Sequence, residues 1–215
     1  MIRLEVLVEG VSDGPAVREV LVRKFKQVEG VNFRIHPHRG RGTLPIYPFR
    51  KPDPKHRGLL DQLPAKLIGY GKQSMPGEDA LVVLVVIDVD KSPCIELLAQ
   101  LNHMMKSLPI KPKVLFRLAI EETESWFIAD HNALRKAYPG KVKLATLRGF
   151  APDSIIGSWE ALARALGQHP KLVGPGAKTE WANRIAPHLD LDNPPSPSFR
   201  KLIEGVGRLV EENKA

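Results

Sequence analysis

The chain has 215 residues, 43% of them hydrophobic, and its 32 Lys and Arg against 24 Asp and Glu give a formal net charge of +8 and a pI of about 9.6. That apolar content suffices for one sizeable domain and excludes a disordered chain, while the single cysteine, Cys94, excludes both an internal disulfide and a cysteine-built zinc site. No apolar run approaches the roughly 20 residues of a membrane span, so no membrane partner is expected, and the lone thiol points to a reducing, cytoplasmic setting.

In chain order, Arg3 to Val8 is rich in Leu and Val and reads as a strand closing at Glu9-Gly10. Glu5 and Glu9 interrupt the segment, so it lacks the uncharged core of a signal peptide. In the following stretch, Ser12 or Asp13 can cap a helix and Pro15 suits its first turn. Val17, Val20, Leu21, Phe25 and Val28 recur at helical spacing. Gly10 allows a sharp turn that leaves the Glu9 carboxylate at the strand's end, where it serves either chemistry or a buried ion pair.

Val31 to His36 is a candidate second strand. It leads into a basic loop, residues 34–58, with seven Lys or Arg (Arg34, Arg39, Arg41, Arg50, Lys51, Lys55, Arg57) against the single acid Asp53. Gly40, Gly42, Pro45, Pro48, Pro52 and Pro54 keep it irregular. A concentrated positive loop suits a polyanionic partner, because phosphates are held by Lys and Arg through charge and counterion release; the bland alternative is a solubilising surface. His36, His38 and His56 raise the question of zinc, but no carboxylate or cysteine cluster accompanies them, which favours phosphate contact or plain surface. Tyr47 and Phe49 could stack on bases or anchor the loop.

Leu59 to Gln73 reads as a helix whose true start could be Pro64. Leu81 to Ile87 is a run of seven apolar residues, five of them β-branched, ending in Asp88-Val89-Asp90. A run without alternation reads as a strand buried on both faces, as in the middle of a parallel sheet. Asp88 could merely cap the next helix, expected from Pro93 to Ser107 with Ile95, Leu98, Leu101 and Met105 facing inward. Lys113 to Ile120 is a further strand. It ends in Glu121-Glu122-Thr123-Glu124, acids that suit either a helix's first turn or a site. Helices are expected at Trp159–Leu166, Thr179–Leu189 and Ser198–Glu212. The segment GPGAKT at 174–179 lacks the glycine spacing and preceding strand of a phosphate loop, although Lys178 could still touch a phosphate.

The predicted order is β-α-β-(basic loop)-α-β-α-β-α: an α/β sandwich of Rossmann-like type with a four-stranded, mostly parallel sheet over residues 1–138 and a helical extension over 139–215 packed on it. Right-handed crossovers bring the acidic strand ends to one edge. Carboxylates gathered there repel one another unless a cation intervenes, and an all-oxygen set suits Mg²⁺ or Mn²⁺.

The strand ending in Glu9-Gly10, Asp13 in the turn, and the strand ending in Asp88-x-Asp90 resemble the Toprim domain of topoisomerases, primases and OLD-type nucleases, over about residues 1–130. With EETESWFIAD (121–130), Lys178 and SPSF (196–199), the chain is similar over nearly its whole length to small stand-alone Toprim-like prokaryotic proteins. The resemblance implies a Mg²⁺- or Mn²⁺-dependent nuclease acting on nucleic-acid phosphodiesters, in phage defence or DNA repair. It implies Glu9, Asp13 and Asp88 as catalytic residues and Glu9, Asp88, Asp90, Glu121 and Glu124 as metal ligands. Arg39, Arg41, Arg50, Lys51, Lys55, Arg57 and Lys178 are the candidate nucleic-acid contacts. No tyrosine-bearing topoisomerase domain or primase zinc module is found. One alternative is a non-catalytic subunit that binds nucleic acid or a partner ATPase. Another is a haloacid-dehalogenase-like phosphatase with Asp88 as nucleophile and Asp90 as acid/base, a motif that normally lies on the first strand and has Thr or Val where this chain has Ser92.

Overall fold

Strands that are apolar on both faces need cover on both sides, and the sheet provides it. In the computed structural model, which describes residues 2–47, 53–74, 80–90, 93–154, 157–174 and 176–213, the strands are β1 (Ile2–Val8), β2 (Phe33–Pro37), β3 (Ala80–Asp88) and β4 (Lys113–Ala119). They form one parallel sheet in the order β2-β1-β3-β4. Val6 lies between Ile35 and Leu84, and Leu84 in turn beside Leu115. The α/β sandwich with a parallel four-stranded sheet and a helical C-terminal region is therefore as expected.

Leu4, Val6 and Val8 of β1 and Val82, Leu84 and Val86 of β3 face one layer, and Leu7, Val83, Val85 and Ile87 face the other. The second layer is α2 (Leu59–Gln73) and α3 (Cys94–Ser107). The first is α1 (Gly14–Glu19) with α4 (Glu124–Ala129), α5 (His131–Ala137), α6 (Ser158–Ala165), α7 (Ala177–Ile185) and α8 (Pro197–Glu211). Trp126, Leu134, Leu162, Trp181 and Phe199 join the strand residues in that layer's single hydrophobic cluster, so the C-terminal helices are built into the core of the sheet. Among the described residues no helix is long and apolar enough to cross a membrane.

Several local expectations are corrected. The helix after Gly10 is α-helical only to Glu19 and continues as a π-helical turn over Val20–Lys24, closed by the Phe25 N–H on the Val20 carbonyl. Pro64 does not begin α2 but lies inside it, buried with Leu59, Leu60, Leu63 and Leu67; the buried leucine face offsets the backbone bond that proline cannot make. The buried face of α3 is Leu97, Leu101 and Met104, while Ile95 is 83% exposed. The SPSF segment is structural. Ser196 caps α8 by accepting the Phe199 N–H, Trp126 Nε1 donates to Ser198 Oγ at 2.8 Å, and Asp153 accepts the Ser198 N–H at 2.6 Å.

The two ends of the basic loop are stitched together beside α2. The Leu59 and Leu60 N–H groups donate to the Gly40 and Arg41 carbonyls, and Asp61 accepts the Gly58 and Thr43 N–H groups. A Cβ on Gly58 would stand 2.5 Å from the Gly42 Cα. Gly58→Ala is therefore expected to destabilise the protein by about 1–3 kcal/mol, read as a lowered urea midpoint; a wild-type midpoint would contradict this close packing.

Candidate active site at the carboxyl edge

Chain order reverses between β1 and β3: the chain runs from β1 outward to β2, then crosses back to place β3 on the other side of β1. In open parallel sheets ligands bind at the carboxyl ends flanking such a switch point. Glu9 follows β1 and Asp88 ends β3, so both stand at this crevice. The structure joins them directly, the Asp88 backbone N–H donating to Glu9 Oε1 at 2.9 Å.

Asp13 is the third member. It occupies the position before α1 without capping it. Its carboxylate instead accepts the Gly10 N–H at 2.7 Å and the Thr123 hydroxyl at 2.9 Å, tying the β1 turn to the β4 end. Gly10 is not demanded by conformation, since a Cβ there would meet only Asp13 and Ser12 oxygens at 3.7 Å; its contribution to the turn is the N–H.

The remaining acids, after β3 and β4, divide in a way that spacing did not reveal. Asp90 and Glu121 both have left-handed backbone, φ 49° and 62°, and the Asp90 N–H donates to the Glu121 carbonyl at 2.9 Å. Such conformations cost non-glycine residues of the order of 1–3 kcal/mol and concentrate at functional sites. The Glu121 carboxylate turns to the start of α6, accepting the Gly157 N–H at 2.6 Å, the Ser158 N–H at 2.9 Å and the Ser158 hydroxyl. It neutralises a helix N-terminus. Asp90 is exposed and its carboxylate pairs with Arg41 at 3.1 Å, placing it on the rim. Glu122, one of the acids expected at this strand end but not among the implied metal ligands, and Glu124 face inward. Lys178 of α7 reaches them, with Nζ 3.0 Å from Glu122 Oε1 and 3.5 Å from Glu124 Oε1.

Electrostatics follow from this crowding. Burial and the Asp13 charge raise the Glu9 pKa to about 8, against the pull of the Asp88 N–H. Burial raises Glu124 to about 7 even with Lys178 nearby. Burial likewise pushes Asp13 and Glu122 up, and Asp88 goes well above the carboxylate range through burial and the charges of Asp13, Glu9, Glu124 and Glu122. The set has only oxygen donors, and buried Glu122 Oε2 and Glu124 Oε1 make no hydrogen bond. Such oxygens fit a hard divalent cation. Among the described residues no three Asp, Glu, His or Cys side chains are gathered as ion ligands as they stand.

The basic loop borders the crevice. The Gly40 N–H donates to the Glu9 carbonyl at 2.9 Å, and Arg41 Nη1 reaches the Val89 carbonyl as well as Asp90. Arg39, Lys55 and Arg57 are exposed. Phe49, Arg50, Lys51 and Ser92 lie outside the described residues. The histidines are separate: His36 pairs with buried Glu5 at 2.6 Å, His38 bonds the Val8 carbonyl through Nδ1, and His56 is exposed on the loop.

Fold and site together define a parallel α/β protein with an internally paired acidic crevice at its switch point. The chain matches the family described as "Domain of unknown function (DUF4276)" over residues 8–207 and belongs to it. No curated protein and no solved structure matches the chain.

Glu9 and Glu124 keep their protons to about 8 and about 7 when folded, against 4.5 ordinarily. The folded chain thus binds more protons than the unfolded chain between these values, and stability falls as pH rises. Metal-free protein is expected to melt at progressively lower temperature from about pH 5 to about pH 8, and Glu9→Gln to flatten that slope. A melting temperature that is constant or rises with pH would contradict the buried-acid account. Glu121→Ala, which uncaps α6, should cost about 1–2 kcal/mol at any pH, measurable by chemical denaturation; an unchanged midpoint would contradict the capping role.

Proposed function

We propose that this protein is a Mg²⁺- or Mn²⁺-dependent nuclease that hydrolyses nucleic-acid phosphodiesters. The observation that carries the reading is the contact between Glu9 and the Asp88 backbone at the switch point, with Asp13 and Glu124 close enough to raise the Asp88 pKa. Glu9 and Asp88 would hold the ion, with Asp13 or Glu124 completing the set. When bound, the ion would supply charge stabilisation at a phosphoryl oxygen and lower the pKa of a water.

The chain's own groups do the rest. Arg41 is anchored by the Val89 carbonyl and Asp90 at the rim, where its charge meets an approaching backbone phosphate. Arg39, Lys55 and Arg57 continue that positive surface outward on the loop, and phosphate contacts of this kind bind without regard to sequence. The haloacid-dehalogenase alternative wants Asp90 as acid/base inside the pocket; here Asp90 is on the rim and ion-paired.

Purified protein should cut single- or double-stranded DNA or RNA in Mg²⁺ or Mn²⁺ and stop when chelator is added. Glu9→Gln and Asp88→Asn should each reduce cutting by roughly a hundredfold or more, the scale of losing a group that stabilises transition-state charge, while nucleic-acid binding persists. Cutting that survives chelator and both substitutions would overturn the proposal.

A further inference from the structure

Helix α7 buries Trp181, Ala182 and Ile185. Lys178 precedes them by three, four and seven residues, so the helical repeat puts its side chain on the same inward face. A lysine on an apolar helix face needs compensation for its lost hydration. α7 packs against α1 and α4, the elements adjoining Asp13 and carrying Glu124, and that is where the ammonium finds its partners.

The Lys178 ammonium is held on three sides. Glu122 Oε1 lies at 3.0 Å, Glu124 Oε1 at 3.5 Å, and the centre of the Trp159 ring at 5.7 Å, within cation–π range. Burial works against its charge, but the Glu124 and Glu122 carboxylates outweigh burial and leave its pKa raised. Glu124 is 2% exposed, and its Oε1 makes no hydrogen bond despite facing this cation. This buried oxygen, farther from the ammonium than Glu122 Oε1, is therefore incompletely satisfied by the lysine and open to a better cation. Trp159 sits in the first turn of α6, whose start is secured by the Glu121 carboxylate.

We infer that Lys178 is a tethered cation competing with the divalent ion for the Glu124 side of the crevice, and that it is released toward the substrate phosphate when the ion binds. The inference rests on the metal-dependent reading above. It follows that the carboxylates hold a divalent ion more weakly than their number would give, because Lys178 already neutralises part of their charge. Ion binding would free the ammonium's N–H donors, with Trp159 close by as a resting surface.

The test is Mn²⁺ binding by calorimetry to the full chain, alongside thermal melting with and without Mn²⁺, for wild type, Lys178→Met and Lys178→Arg. Lys178→Met should bind Mn²⁺ on the order of tenfold more tightly, the size of effect one opposite charge has on a neighbouring carboxylate. It should also melt lower than wild type without metal and gain more from adding it. Lys178→Arg, which keeps the charge, should stay near wild type. Wild type that binds Mn²⁺ at least as tightly as Lys178→Met would overturn the competition alone. Absence of Mn²⁺ uptake by every variant would overturn the metal reading and the competition together.

Discussion

Like charges buried side by side must be kept protonated, paired or neutralised, and the carboxyl edge of this sheet uses all three devices around one contact. That contact is the Asp88 backbone N–H on the Glu9 carboxylate. It exists because β1 and β3 are parallel neighbours with the Leu7–Val85 register near their ends, so the residues just beyond that register meet across the switch point. Antiparallel pairing would have sent the two acidic ends to opposite edges.

The surrounding structure disposes of charge around that pair. Glu121 caps the start of α6, where helix amides favour anions, and Glu122 turns inward beside it with the Trp159 N–H as a further partner. Asp90 is balanced by Arg41 at the rim, and Glu122 and Glu124 share Lys178. Left-handed backbone at Asp90 and Glu121, joined by a hydrogen bond, makes the two strand ends turn together. What remains nearest the switch point is Glu9, Asp13 and Asp88, their pKa values raised by burial and, for Glu9 and Asp88, by acidic neighbours as well. An edge that crowds acids among apolar layers makes folding harder, which a binding role for those acids would explain and structural packing would not.

Much of this was legible in the sequence because it follows from local rules. An uninterrupted apolar run such as Leu81–Ile87 needs a sandwiched strand, and an acid straight after such a strand falls on the edge where ligands bind. Periodicity identified α3 and the inward Leu101 but assigned Ile95, Leu98 and Met105 to the stripe where Leu97 and Met104 are buried, since these residues are equally apolar; only contact with the sheet distinguishes them. Pro64 read as a boundary because backbone rules treat a proline alone, without the leucines that hold it inside α2. Glu121 and Glu122 are neighbours of identical chemistry, and only the tertiary position of α6 assigns one of them to its cap. Lys178 was legible in part: a cation in register with Trp181, Ala182 and Ile185 announces a buried partner, but not which one.

The proposed hydrolysis requires a divalent ion between the ends of β1 and β3. The most direct measurement is the anomalous scattering of Mn²⁺ in crystals of the protein grown with that ion. It should give a peak with Glu9 and Asp88 carboxylate oxygens at about 2.0–2.3 Å, the range of hard-cation coordination. A manganese peak away from this crevice, or none in a protein saturated with the ion, would contradict it.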